Sequence, residues 1–159
     1  MKRILIATAC MVAIVYVLSC NKSTVNEGSC TGPKAVTDST QLLAFARSHG
    51  IHPVADTSWL YYEIISPGSG VNPVAASTVF IHYVARLMDG TYVDSISTAK
   101  GFVLNGLIKG WQYGLPKIKS GGRIKLLIPS ALGYSCTGYG SSIPPDAPLY
   151  YDVYLDSLK

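Results

Sequence analysis

The architecture of this chain is set by the stretch Ser77-Thr-Val-Phe-Ile-His-Tyr-Val-Ala-Arg-Leu87-Met-Asp-Gly90-Thr-Tyr-Val-Asp94. Its first part alternates strictly, as a strand with one buried face does. One face would carry Val79, Ile81, Tyr83, Ala85 and Leu87, and the other Phe80, His82, Val84 and Arg86. Asp89-Gly90 is a strong two-residue turn signal, and 91–94 returns as a second strand. The stretch predicts an antiparallel hairpin packed on a core.

Further strands and one helix complete the predicted globular domain at 59–159. Strands are expected at Trp59–Ile65, Arg123–Ile128 and Leu149–Leu155. A helix is expected from Ile108 to Ile118, with Trp111, Leu115 and Ile118 facing inward. The pattern predicts an α+β domain of about 100 residues, an antiparallel sheet with one short helix against it.

A short helix precedes this domain in the 38–58 segment. Asp38-Ser39-Thr40 offers an N-cap, the helix would extend to His49, and Gly50 is placed to end it. Leu42, Phe45 and Ala46 share one face. The helix either packs on the globular domain or spaces it from a membrane. Residues 20–37 are polar with Gly and Pro, which is typical of a flexible tether.

The apolar residues are concentrated at the N-terminus. The 159 residues are 48% hydrophobic, with a mean hydropathy of +0.28, but the longest apolar run is Ile4–Leu18. Beyond Asn21 no run approaches the roughly 18 residues of a spanning helix, which excludes a polytopic membrane protein. Lys2-Arg3 and the apolar run have the layout of a secretory signal peptide at 1–19.

The signal ends in Val17-Leu18-Ser19-Cys20, which resembles a bacterial lipobox. Cys20 is therefore the predicted lipidation site, and the lipid would anchor the chain in the bacterial cell envelope. Asn21 after the cysteine favours the outer membrane, with the domain facing the periplasm or the surface. The alternatives are an ordinary signal peptide or an uncleaved signal anchor.

Two of the four cysteines remain for the folded part. Cys10 lies in the apolar run and Cys20 takes the lipid, which leaves Cys30 and Cys136. A disulfide between them suits an exported protein; the alternative is two unrelated thiols.

Composition argues against several classes of function. Lys and Arg total 13 against 9 Asp and Glu, a net charge of +4; without Lys2 and Arg3 the balance is 11 against 9, or +2. No run of basic residues is present, so a nucleic-acid partner is not expected. His49, His52 and His82 lack metal-ligand spacing, and no phosphate-binding loop is found. No metal or cofactor is predicted, and His82 is expected to be a solvated or packed side chain.

Several short motifs share one order and spacing with a known family. They are His82-Tyr83, Leu87-Met-Asp-Gly90, Asp94-Ser95, Leu107-Ile-Lys-Gly-Trp-Gln-Tyr-Gly-Leu115, Ile128-Pro, Gly133-Tyr134 with Gly138, and Ile143-Pro-Pro-Asp-Ala-Pro-Leu149. The stretch 59–159 closely resembles the FKBP-type peptidyl-prolyl cis-trans isomerases, and the preceding helix resembles the periplasmic and surface-attached bacterial branch. The resemblance implies a half-barrel sheet wrapped around a short helix, with an apolar aromatic pocket between them.

The resemblance also assigns the site. It implies that Tyr83, Asp94, Trp111 and Tyr134 carry catalysis, and that the substrate-binding residues are Phe102, Leu107, Ile108, Ile143 and Tyr151. The expected partners are proline-containing unfolded or folding polypeptides of the envelope, together with a macrolide ligand. No covalent catalysis is implied.

Five positions depart from the family pattern, namely Val93, Lys100, Ser135, Tyr139 and Ser142. They enlarge and polarise the expected pocket rim, which bears on catalytic rate and macrolide affinity. The alternative function is a lipid-anchored binding or chaperone module with the same fold and little isomerase activity. An anchored hydrolase using Cys136 is a third alternative that rests on one cysteine.

Overall fold

The computed structural model of the chain describes residues 34–159. Two α-helices and six strands follow one another as α1 (Lys34–Ser48), β1 (Val54–Ala55), β2 (Tyr61–Ser66), β3 (Thr78–Leu87), β4 (Tyr92–Val103), α2 (Lys109–Gly114), β5 (Gly122–Ile128) and β6 (Leu149–Leu158). Short 3₁₀ turns follow β4, α2 and β5.

The six strands form one antiparallel sheet in the order β1-β2-β5-β6-β3-β4. The predicted hairpin is its β3–β4 edge, where Ala85 pairs with Asp94 and Val79 with Phe102. The inward face of β3 is as predicted, because Val79, Ile81 and Ala85 are fully buried. The α+β class and the antiparallel sheet around a short helix are thus confirmed.

Helix α2 lies against the concave face of the sheet at unusually short range. A side chain at Gly110 would place its Cβ 2.5 Å from Ile128 Cγ2, and one at Gly114 would come 2.5 Å from Leu126 Cδ2. Both distances are too short for carbon atoms, so these two glycines are required for the contact. The main core lies between α2 and the sheet, and the predicted inward residues Trp111, Leu115 and Ile118 are at most 4% exposed.

Helix α1 packs on the opposite, convex face of the sheet. Its predicted apolar face is confirmed, since Leu42, Phe45 and Ala46 are buried and form a second core with Leu127 and Tyr150. Of the two roles considered for this helix, packing on the globular domain is the one observed, because its apolar face is buried there. Gly50, with a φ of 62°, ends it as predicted.

The predicted N-cap was wrong. Helix α1 begins at Lys34, four residues before the predicted start, so Asp38 lies inside the helix. The Asp38 carboxylate, 4% exposed, accepts hydrogen bonds from the Ser130 backbone N–H at 2.9 Å and from its hydroxyl at 2.7 Å. The Asp38 side chain, which the local sequence predicted to cap the helix, therefore forms a tertiary contact with Ser130 instead.

Two strand boundaries also differ from the predictions. Trp59 is not in a strand: it has a φ of 68°, is 57% exposed, and belongs to a turn in which its N–H donates to the Asp56 carbonyl at 3.2 Å. The return strand β4 extends to Val103, well beyond the predicted end at Asp94. Three of its residues, 97–99, bulge opposite His82, since the pairing moves from Tyr83–Ile96 to Ile81–Lys100.

Candidate functional site

Trp111 is the floor of a concave site between α2 and the sheet. Because α2 lies close to β5, the Trp111 indole is in the core, and the residue is only 4% exposed. The rings of Tyr83 and Tyr151 stand edge-on to it, with centroids 5.0 Å away and interplanar angles of 90° and 86°. Such edge-to-face pairs stabilise one fixed arrangement of the rings. The indole Nε1 is buried and has no hydrogen-bond partner among the described residues.

One side wall is held by a short hydrogen bond between two adjacent strands. The Tyr83 hydroxyl of β3 donates to Asp94 Oδ2 of β4 at 2.5 Å. Asp94 pairs with Ala85 across the hairpin, which places its side chain on the same concave face as Tyr83. The bond fixes the phenol ring beside Trp111.

The phenol groups of the wall are protonated at neutral pH. Burial raises the pKa of Tyr83 well above its usual range, and the adjacent Asp94 carboxylate raises it further. Burial is also the main cause of the raised pKa of Tyr151 and of Tyr134. The tyrosines of the site are therefore neutral and carry hydroxyl donors.

A long loop between β5 and β6 forms the opposite side. Its Tyr134 ring stacks on Tyr139, with centroids 4.9 Å apart. The backbone groups of Tyr139 and Ile143 hydrogen-bond each other at 2.8 and 3.1 Å, and the Ile143 side chain is 5% exposed within the main core. These contacts fasten a loop whose glycine content predicts little regular structure. Ser135 takes a φ of 51° here, a conformation that suits glycine.

The site encloses a cavity of about 600 Å³. Eight residues predicted for the site line it, namely Tyr83, Asp94, Phe102, Leu107, Ile108, Trp111, Tyr134 and Tyr151; Lys100, Tyr139, Ile96 and Gly106 line it as well. Ile143 is not among the described lining residues. Ile96 and Gly106 had not been predicted, although strand alternation from Asp94 would have indicated Ile96.

Two other side chains considered in the sequence, His82 and Cys136, do not line the cavity. His82 Nδ1 lies 2.7 Å from Asp156 Oδ2, and its ring stacks on Tyr154, so it is a packed side chain. Cys136 is disulfide-bonded; its predicted partner Cys30 and the predicted lipidation site Cys20 lie outside the described residues. Within 34–159, no three His, Cys, Asp or Glu side chains group as metal ligands, and neither helix is long and apolar enough to cross a membrane.

Comparison with known proteins identifies the family. The sequence model of the FKBP-type peptidyl-prolyl cis-trans isomerases matches residues 70–156. The chain belongs to this family. The match begins before β3 and ends within β6, so it includes every element that lines the cavity.

Individual FKBP-type proteins agree with that assignment. The isomerase FkpA of Escherichia coli strain K12 is 37% identical over 118 residues, which are 72% of this chain and 43% of FkpA. The crystal structure of E. coli FkpA matches with a TM-score of 0.70 at 33% identity, over 79% of this chain and 59% of that one. A Pseudomonas syringae isomerase matches with a TM-score of 0.69 at 27% identity, over 79% of this chain and 93% of that one. The sequence match thus spans less than half the length of FkpA.

Proposed function

We propose that the protein is a peptidyl-prolyl cis-trans isomerase that assists the folding of envelope or secreted proteins. The observation that carries the proposal is the cavity floor, where the buried Trp111 ring meets Tyr83 and Tyr151 at right angles. This arrangement leaves an apolar surface that fits a proline ring. The family assignment supports the same reaction.

The chemistry needs no nucleophile. Rotation about an X–Pro bond meets a barrier of about 18–20 kcal/mol because twisting the bond abolishes amide resonance. The twisted amide is less polar than either planar isomer, so an apolar cavity that binds the twisted form better lowers the barrier. Trp111, Leu107 and Ile108 would hold the ring, with Phe102, Ile143 and Tyr151 around it.

Two polar groups would orient the peptide. The raised pKa of Tyr134 keeps its hydroxyl protonated, so it can donate to a substrate carbonyl. The Asp94 carboxylate would act chiefly through Tyr83, because it accepts a hydrogen bond from the Tyr83 hydroxyl at 2.5 Å. Because X–Pro isomerisation takes tens to hundreds of seconds unaided, slowly folding chains are the natural substrates.

An NMR exchange assay on a short X–Pro peptide with the purified protein tests this proposal. We expect faster cis–trans exchange, and a decrease in kcat/KM of about fivefold in Tyr134→Phe, the worth of one hydrogen bond. Tyr113→Phe is the matched control, since Tyr113 is 42% exposed and does not line the cavity. Trp111→Ala should abolish acceleration, with circular dichroism to check that it folds.

The same assay distinguishes the isomerase from the alternative function, a binding or chaperone module. A binding or chaperone module would bind the peptide, as shown by chemical-shift changes, without faster exchange. The departures at Val93 and Lys100 favour that alternative, and Lys100 lines the cavity. A macrolide ligand would compete with the peptide in the same titration.

We further propose that Cys20 carries a lipid anchor in the bacterial cell envelope, and that the membrane is therefore a partner. The support is the charged start, apolar run and Val17–Cys20 motif of the sequence. Palmitate labelling of the protein should be lost in Cys20→Ala and kept in Cys10→Ala. Labelling that persists in Cys20→Ala would refute the anchor.

A further inference from the structure

Lys100 stands at the wall of the cavity on the same face as the aromatic floor. It pairs with Ile81 across the β3–β4 ladder, and Ile81 is fully buried on the concave side. Directly opposed residues of an antiparallel pair point to the same face, so the Lys100 side chain projects toward the cavity that it lines. Its Nζ lies 5.6 Å from the centre of the Phe102 ring, a distance at which the ring attracts the ammonium group.

The ammonium group is available to a ligand. Among the described residues lining the cavity, Lys100 is the single cation and Asp94 the single anion. No carboxylate of residues 34–159 forms an ion pair with Lys100. Asp94 is already engaged by the Tyr83 hydroxyl.

The two charges also occupy different ends of the wall. Asp94 is paired with Ala85 and Lys100 with Ile81. Ile81 and Ala85 are four positions apart in β3, which is roughly 13 Å along the strand. A peptide lying across the cavity therefore meets a cation at one end and a carboxylate at the other, which gives the site an electrostatic direction.

We propose that Lys100 is a specificity-determining residue that favours substrates with an aspartate or glutamate side chain beside the isomerised X–Pro bond. The inference rests on the proposed isomerase function and names a substrate class for it. A substrate carboxylate would supply the opposite charge that residues 34–159 do not pair with Lys100. Apart from Asp94, the other described residues that line the cavity are apolar side chains, neutral phenols and a glycine. Lys100 can therefore distinguish the charge of the residue that flanks the proline.

Matched peptides test the selectivity. Glu, Gln or Lys is placed directly before proline in one series and directly after it in another, and kcat/KM is measured by NMR exchange at low salt. We expect Glu to exceed Gln by about two- to fivefold in at least one series, the range for a solvent-exposed ion pair. The preference should shrink in 0.5 M salt because screening weakens exposed pairs.

Variants assign the preference to this residue. Lys100→Met should bring the Glu and Gln peptides to equal rates, and Lys100→Glu should favour the Lys peptide. Lys109→Met is the matched control: it removes an exposed lysine of α2 whose Nζ donates to Gln112 at 3.1 Å and which does not line the cavity. It should keep the Glu preference.

The outcomes separate the two proposals. Equal rates for Glu and Gln peptides in both series, or a preference that survives Lys100→Met, would overturn the role of Lys100 while leaving the isomerase intact. No acceleration of the neutral Gln peptide would refute the isomerase function itself, and the selectivity with it.

Discussion

The Tyr83 hydroxyl and the Asp94 carboxylate are joined at 2.5 Å across the β3–β4 hairpin. Tyr83 pairs with Ile96 and Ala85 pairs with Asp94, so both side chains project from the concave face of the two adjacent strands. The change of register at residues 97–99 lies beyond this contact. The bond fixes the ring that stands at a right angle to Trp111.

We expect Tyr83 and Asp94 to be energetically coupled. Tyr83→Phe and Asp94→Asn should each destabilise the fold, and the double variant should lose less than the sum. The coupling should be about 1 kcal/mol, low for a bond to a charged group because Asp94 is exposed to solvent. Urea unfolding of the four proteins measures it, and additive losses would contradict the structural role of this bond.

Stability should fall at alkaline pH. Tyr83, Tyr150 and Tyr151 have pKa values raised chiefly by burial, whereas in the unfolded chain tyrosines ionise near pH 10. Above that pH the unfolded state loses protons that the folded state keeps, so the free energy of unfolding decreases as pH rises. The urea midpoint should therefore drop above pH 10, and the drop should be smaller in Tyr151→Phe. An identical pH profile for both proteins would contradict the raised pKa of Tyr151.

Asp38 should be critical for docking α1. Asp38→Ala would leave the buried N–H and hydroxyl of Ser130 without their acceptor, at a cost of about 2 kcal/mol. Asp38→Asn keeps an acceptor oxygen and should cost less. Urea unfolding ranks the two variants, and a neutral Asp38→Ala would mean that these two hydrogen bonds add little to stability.

Ser135→Gly should stabilise the protein. Ser135 has a φ of 51°, which costs a side-chain-bearing residue roughly 1 kcal/mol. Glycine accepts this conformation, so we expect a gain of about 0.5–1 kcal/mol in thermal unfolding. Ser142→Gly is the control in the same loop: Ser142 does not have a positive φ, so added chain freedom should lower stability slightly. Equal effects of both changes would argue against strain at Ser135.

Most of the fold was predictable because its signals are local. Strict alternation in β3 and the Asp89-Gly90 turn fix a hairpin with a buried face, and the spacing of Trp111, Leu115 and Ile118 fixes the inward side of α2. The family resemblance, carried by motifs along 82–149, then located eight lining residues of the cavity. Phe45 and its neighbours likewise revealed an apolar helix face before its partner was known.

The sequence by itself determined which side chains face inward, since a strand or helix repeats its faces at a fixed period. Tertiary structure alone decided where those faces meet. Asp38 bonds to Ser130 rather than capping its helix, because Ser130 lies opposite it. Ile143 is in the core rather than on the cavity wall, because its loop folds back on Tyr139. Such contacts join residues far apart in the chain, and no local period encodes them.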